Sequence, residues 1–133
     1  MKRILLLSAV LLISTTIYSQ SCPPTEPLKV STVTGTWEGA YSSSGQFVPF
    51  VLKLTEAAVG LKASIDIPSE KVKGISYEAD ICTGQELHLK STSVGSSVEF
   101  IGRPNADGIM TGRVIFKEGG GSETREVFTA KRS

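Results

Sequence analysis

Leu61-Lys62-Ala63-Ser64-Ile65-Asp66-Ile67 alternates without error, with Leu61, Ala63, Ile65 and Ile67 at every second position and polar residues between them. Successive side chains of a β-strand point to opposite faces, so this is a strand with one dry and one wet face. Ile75, Tyr77, Ala79 and Ile81 repeat the scheme against Ser76, Glu78 and Asp80, and Leu87 and Leu89 repeat it against Glu86, His88 and Lys90. Upstream, Thr34 to Tyr41 carries Trp37 and Tyr41 in phase, and Phe47 to Thr55 carries Phe50, Leu52 and Leu54. Downstream come Ser97 to Arg103 with Val98 and Phe100, Ile109 to Lys117 with Met110, Val114 and Phe116, and Thr124 to Lys131 with Phe128 and Ala130. The pattern predicts eight strands.

Turn chemistry separates them: Ser42-Ser43-Ser44-Gly45, Ala58-Val59-Gly60, Thr83-Gly84, Gly95-Ser96, Asn105-Ala106-Asp107-Gly108 and Gly119-Gly120-Gly121. Each is short enough for a hairpin, which makes successive strands antiparallel neighbours. At Pro68 to Gly74 one helical turn is expected to cross an end of the sheet. Pro49 cannot donate to a ladder and marks a bulge or an edge. Eight up-and-down strands can close and remove their exposed edges, so the expected fold is all-β, an eight-stranded antiparallel up-and-down barrel rather than a sandwich.

The N-terminus reads differently. Lys2 and Arg3 precede an apolar run from Ile4 to Ile17, and Ser19, Gln20 and Ser21 follow. This is the order of a secretory signal, with a run shorter than the roughly 20 residues a spanning helix needs. The expected division is a signal peptide over 1–20, an extended Pro-rich leader over 21–32 containing Pro23, Pro24 and Pro27, and a barrel domain over 33–133. An exported protein, periplasmic or extracellular, is implied. Removing residues 1–20 from the 133 leaves 113 and takes the 14 basic residues to 12 against 13 acidic, a net charge of −1. So balanced a chain has no broad positive field, which excludes nucleic acid as a main partner.

Cys22 and Cys82 are the two cysteines, and three readings stand open. Cys22 is a candidate for lipidation, the one route by which a membrane would be a partner, although Ser19-Gln20-Ser21 fits the usual aliphatic-small-small approach poorly. The pair is a candidate disulfide in an oxidising compartment, closing a loop of about 60 residues. Cys82 is otherwise a small thiol at a strand end or turn.

Catalytic equipment is sparse. The single histidine, His88, falls on the polar phase between Leu87 and Leu89, and no nucleophile elbow, metal-binding helix pair, phosphate loop or calcium loop occurs. One histidine and two distant cysteines do not make a four-ligand zinc site, so no metal and no cofactor are expected. Carboxylate pairs such as Glu123 with Glu126, or Glu78 with Asp80, stand on outward phases beside turns, where solvation explains them. Arg103, Arg113 and Arg125 read as a scattered outer face rather than a cluster. The chain is expected not to be an enzyme.

The aromatic residues remain. Trp37, Tyr41, Phe50, Tyr77, Phe100 and Phe116, with Phe128, are the candidates for the barrel interior, beside the small residues Gly39, Gly112, Ala63, Ala79 and Ala130 in the same phases. Large beside small is the pattern of jigsaw packing, the plainer reading. Any space left would be an apolar pocket with tyrosine hydroxyls as polar handles, suited to a lipid-like or aromatic ligand.

Gly35-Thr36-Trp37-Glu38-Gly39 resembles the opening strand of lipocalin-like and streptavidin-like barrels. Val33 to Gly39, Ala63 to Pro68, Val72 to Ile75, Gly108 to Gly112 and Phe128 to Arg132, in this order, are similar to the small β-domain that precedes the α/β-hydrolase domain in secreted bacterial hydrolases. The resemblance covers about 100 residues from Val33. It implies an exported lipocalin-like barrel without activity of its own, and the hydrolase half with its catalytic residues is absent. Glu126, where that pattern has an apolar residue, and Cys82 depart from it. The single Trp37 argues against a biotin-binding barrel, which lines its site with several tryptophans.

The function this predicts is a non-enzymatic binding or accessory barrel, holding a small apolar ligand. The rival is a barrel with a secreted protein partner, such as a periplasmic protease inhibitor that uses residues 22 to 32 as its recognition arm.

Overall fold

A computed structural model describes residues 27–82, 85–93 and 95–133. The expected signal segment and Cys22 lie outside them. Eight strands follow one another: β1 (Gly35–Ser43), β2 (Gln46–Glu56), β3 (Leu61–Ile67), β4 (Val72–Cys82), β5 (Glu86–Ser93), β6 (Ser96–Pro104), β7 (Ile109–Glu118) and β8 (Glu123–Arg132). Each pairs antiparallel with the next, and β1 pairs with β8 to close the barrel. Trp37 faces Arg132 and Tyr41 faces Phe128 across that closing seam. The expected fold is the observed one.

Period two does the sorting. Trp37, Tyr41, Phe50, Leu52, Leu54, Ala63, Ile65, Tyr77, Leu87, Leu89, Phe100, Met110, Val114, Phe128 and Ala130 form one buried interior cluster. Among the described residues no polar or charged residue is buried. Phe100 makes ring contacts with Tyr41, Phe50, Tyr77 and Phe128 at centroid separations of 5.4 to 6.2 Å, mostly edge to face, the arrangement aromatic quadrupoles favour. Small residues admit these rings. Gly102 faces Gly112, and a Cβ on Gly102 would lie 2.6 Å from the Phe128 ring.

The turns behave as their residues require. Ser44 and Gly45 both take positive φ at the β1–β2 hairpin, and Asn105 Oδ1 accepts from the amides of Asp107 and Ile109 at 2.9 and 3.0 Å. Pro68–Glu70 forms the expected single turn, a 3-10 helix η1 between β3 and β4. Pro49 pairs in unbroken register with Ala40, while β2 pairs with β3 only from Val51 onward. It therefore marks a local edge and not a bulge.

One local expectation is corrected. The leader, read as extended through residue 32, turns into a single helical turn α1 (Val30–Val33). Its cause is burial: Val33 is fully enclosed, and Leu28 packs on the same interior cluster. Among the described residues, no helix is long and apolar enough to cross a membrane.

Candidate functional site

The two ends of the barrel differ, and the difference follows from what each strand carries there. At the base, where β1 starts and β8 ends, the Trp37 indole N–H donates to the Val33 carbonyl at 2.8 Å, so α1 is tied across the opening. The Arg132 guanidinium lies 4.7 Å from the Trp37 ring centroid and donates to the Thr32 carbonyl. Trp37 is completely buried. This end is plugged; beside it an open groove runs between Arg132 and the Asn105–Gly108 turn, and a second recess lies between Leu28 and Arg103.

At the opposite end the strands are tied by the 44–45, 68–71 and 119–122 turns, and the interior is not filled. A cavity of about 160 Å³ opens there, walled by Tyr41, Ile67, Tyr77, Phe100 and Phe116, with Glu70 of η1 at its lip. Tyr41 donates its hydroxyl to Glu70 Oε1 at 3.4 Å. The Tyr77 ring is largely buried, while its hydroxyl has no hydrogen-bond partner among the described residues and reaches solvent. Burial first, and then the Glu70 charge, push both phenols up to about 12. Both hydroxyls therefore hold their protons at neutral pH and serve as donors.

The cavity continues outward into a wider recess that shares Tyr41, Glu70 and Phe116 and adds Glu118 and Glu126. Glu126 corrects the sequence reading. It was expected on the outward phase with Glu123, but it faces the inward residue Val114 across the β7–β8 ladder and so belongs to the interior phase. Glu123 stands outside, 3.5 Å from Arg125. The alternation of β8 is kept; a carboxylate simply occupies an inward position where the barrel is wide and wet.

The six aromatic candidates thus divide. Tyr41, Tyr77, Phe100 and Phe116 come together around the cavity, Phe50 packs below them against Tyr41 and Phe100, and Trp37 belongs to the plug at the other end. Sequence reasoning missed Glu70 and Glu126. An inward phase carried through β8 from Phe128 would have found Glu126; Glu70 depends on how η1 crosses the mouth, which no periodicity encodes.

Other candidates lie on the outer wall. His88 sits between Glu86 (Nε2, 3.4 Å) and Glu99 (Nδ1, 3.5 Å), and the Cys82 thiol donates to Asp80 at 4.0 Å. Burial and the neighbouring Asp80, Glu86 and Glu99 raise the Cys82 pKa, which keeps the thiol protonated. Its pairing with Cys22, and the lipidation of Cys22, fall outside the described residues. Arg103 donates to Gln85, Arg125 meets Glu123, and Arg113 stands between Ile101 and Val127, so the three lie along a diagonal of the outer wall, away from the cavity. Among the described residues, no group of three or more His, Cys, Asp or Glu side chains is placed to hold a metal ion.

No protein-family model matches this chain, and no curated protein matches it.

Proposed function

We propose that the chain is an exported, non-enzymatic binding barrel that takes the apolar end of a small ligand into the cavity at its open mouth. One observation carries this reading: a barrel plugged at the Trp37 end keeps an aromatic-walled space at the other, with the Tyr77 hydroxyl unpartnered beside it. Size sets the ligand. An apolar void of roughly 150 Å³ holds a benzene-sized molecule, whereas pockets that enclose drug-sized compounds run from about 300 Å³ upward. One ring or a short chain therefore enters, and the remainder of the ligand stays in the recess. A role beside a separately encoded hydrolase agrees with the likeness to the β-domain of secreted hydrolases. The absence of catalysis is supported by tyrosines that keep their protons and by a histidine held on the outer wall, away from the cavity.

The test is occupancy. Protein purified from its natural compartment is extracted and the extract analysed, and the emptied protein is titrated with small aromatic and alkyl compounds while amide NMR signals are followed. Shifts confined to the surroundings of Tyr41, Tyr77, Phe100 and Phe116 are expected, and Phe116→Trp should abolish them by filling the space. An empty extract together with no shift from any compound overturns the reading.

A protein partner is the second reading, and a specific surface favours it. Phe47 of β2 (79% exposed) opposes Ser42 of β1, and Val127 (67% exposed) lies one residue before the Phe128 that faces Tyr41, so the two flank Ser42 on the outer wall. If a secreted protein is the target, trimming residues 22–32 or replacing Phe47 by Ser abolishes its binding and leaves the cavity's occupancy unchanged.

A further inference from the structure

We propose that the ligand is a small amphipathic amine, its apolar tail in the aromatic cavity and its ammonium group among Glu70, Glu118 and Glu126. The proposal rests on the binding-barrel reading and names the ligand class. Its first ground is charge. Glu70 lines both the cavity and the recess, Glu118 and Glu126 line the recess, and no lysine or arginine lines either space. No ion pair joins any of the three to a basic side chain among the described residues. Lys117 and Arg125, beside Glu118 and Glu126 in sequence, fall on the outward phase of β7 and β8, and Lys71, which follows Glu70 at the end of η1, lines neither space. A chain of nearly balanced charge thus gathers carboxylates without basic partners around this aromatic opening, and low-dielectric walls focus such a field.

The second ground is the floor below that rim. Aromatic faces attract cations, and Tyr41, Phe100 and Phe116 surround the place where an ammonium's first methylenes would lie. Tyr77 itself is largely buried, but its hydroxyl, without a hydrogen-bond partner among the described residues, reaches solvent at the mouth, where it is free to meet a polar atom of the guest. An anionic ligand would face the three carboxylates directly. A neutral one would leave them as they are and gain only the apolar contact.

Three probes of one shape decide the matter on the intact chain: phenethylammonium, phenethyl alcohol and hydrocinnamate, compared by titration calorimetry and by amide NMR. The ammonium is expected to bind roughly tenfold tighter than the alcohol, and the carboxylate more weakly than either. The double variant Glu70→Gln, Glu126→Gln should bring the ammonium down to the affinity that the alcohol shows for the same variant. Salt at about 1 M, which shortens screening to roughly 3 Å, should erase the preference in the unmodified protein, a readout that does not depend on the variant folding. Equal binding of ammonium and alcohol, or a preference that survives both salt and substitution, overturns the amine assignment and leaves the cavity reading standing. No binding by any probe overturns both.

Discussion

The indole N–H of Trp37 and the carbonyl of Val33 are 2.8 Å apart, four residues from each other in the chain, and this bond fixes the helical turn α1 across the base of the barrel. Trp37→Phe keeps the ring and removes the donor, leaving the Val33 carbonyl buried without its partner. A loss of about 1–3 kcal/mol is expected on that account. Trp37→Ala should cost about 3–5 kcal/mol, since it also opens a cavity. Denaturant unfolding measures both, with tyrosine fluorescence as the signal because Trp37 is the single tryptophan.

Gly112 offers a purely steric test. A Cβ there would lie 1.9 Å from the Ile101 carbonyl oxygen and 2.6 Å from the Gly102 Cα, so the strands would have to part. Gly112→Ala is expected to destabilise by about 3 kcal/mol, at or beyond the upper end of ordinary overpacking. A midpoint unchanged from the parent protein would show that β6 and β7 are not so closely apposed.

Phe100 joins four other rings, and its removal should be felt at both the core and the cavity. Phe100→Ala is expected to cost about 3–5 kcal/mol in unfolding free energy. It should also enlarge the cavity enough to admit a second ring, which larger aromatic probes would report by binding the variant and not the parent.

Stability should fall in alkali. Tyr41 and Tyr77 lose their protons near 10 when exposed and near 12 in the folded chain, so the fold favours their neutral forms. Between those values the folded state binds more protons than the unfolded one, and stability decreases as pH rises. The contribution is complete below about pH 10 and disappears as the pH climbs towards 12. The denaturant midpoint should decline across that window, and Tyr77→Phe should flatten part of the slope. A flat midpoint for the parent protein would refute the assignment.

The barrel was legible because water and core impose strict alternation: Ala63, Ile65, Leu87 and Leu89 could be assigned to the interior from the polarity of their neighbours alone. The site was only half legible. Tyr41, Tyr77, Phe100 and Phe116 were readable as interior rings, but their sorting from Trp37 depends on which end α1 plugs, a matter of tertiary packing. Glu126 was obscured because polarity served as the marker of the outside, and at a wide mouth that marker fails. Ile101 and Ile115 show the converse. Both stand on the outward phase, opposite Arg113 and Glu99, and yet are buried. Long charged side chains can shield apolar neighbours in this way, and a strand pattern does not register it.

Closure by β1 on β8 makes the earliest strand wait for the latest. A sheet of the first seven strands would leave β1 and β7 unpaired along one side each, and Trp37 without Arg132 above it. Contacts so distant in sequence slow folding, because a long loop must be ordered before they repay the loss of freedom. A chain truncated within β8 would therefore carry two adhesive margins, prone to zip onto its own kind.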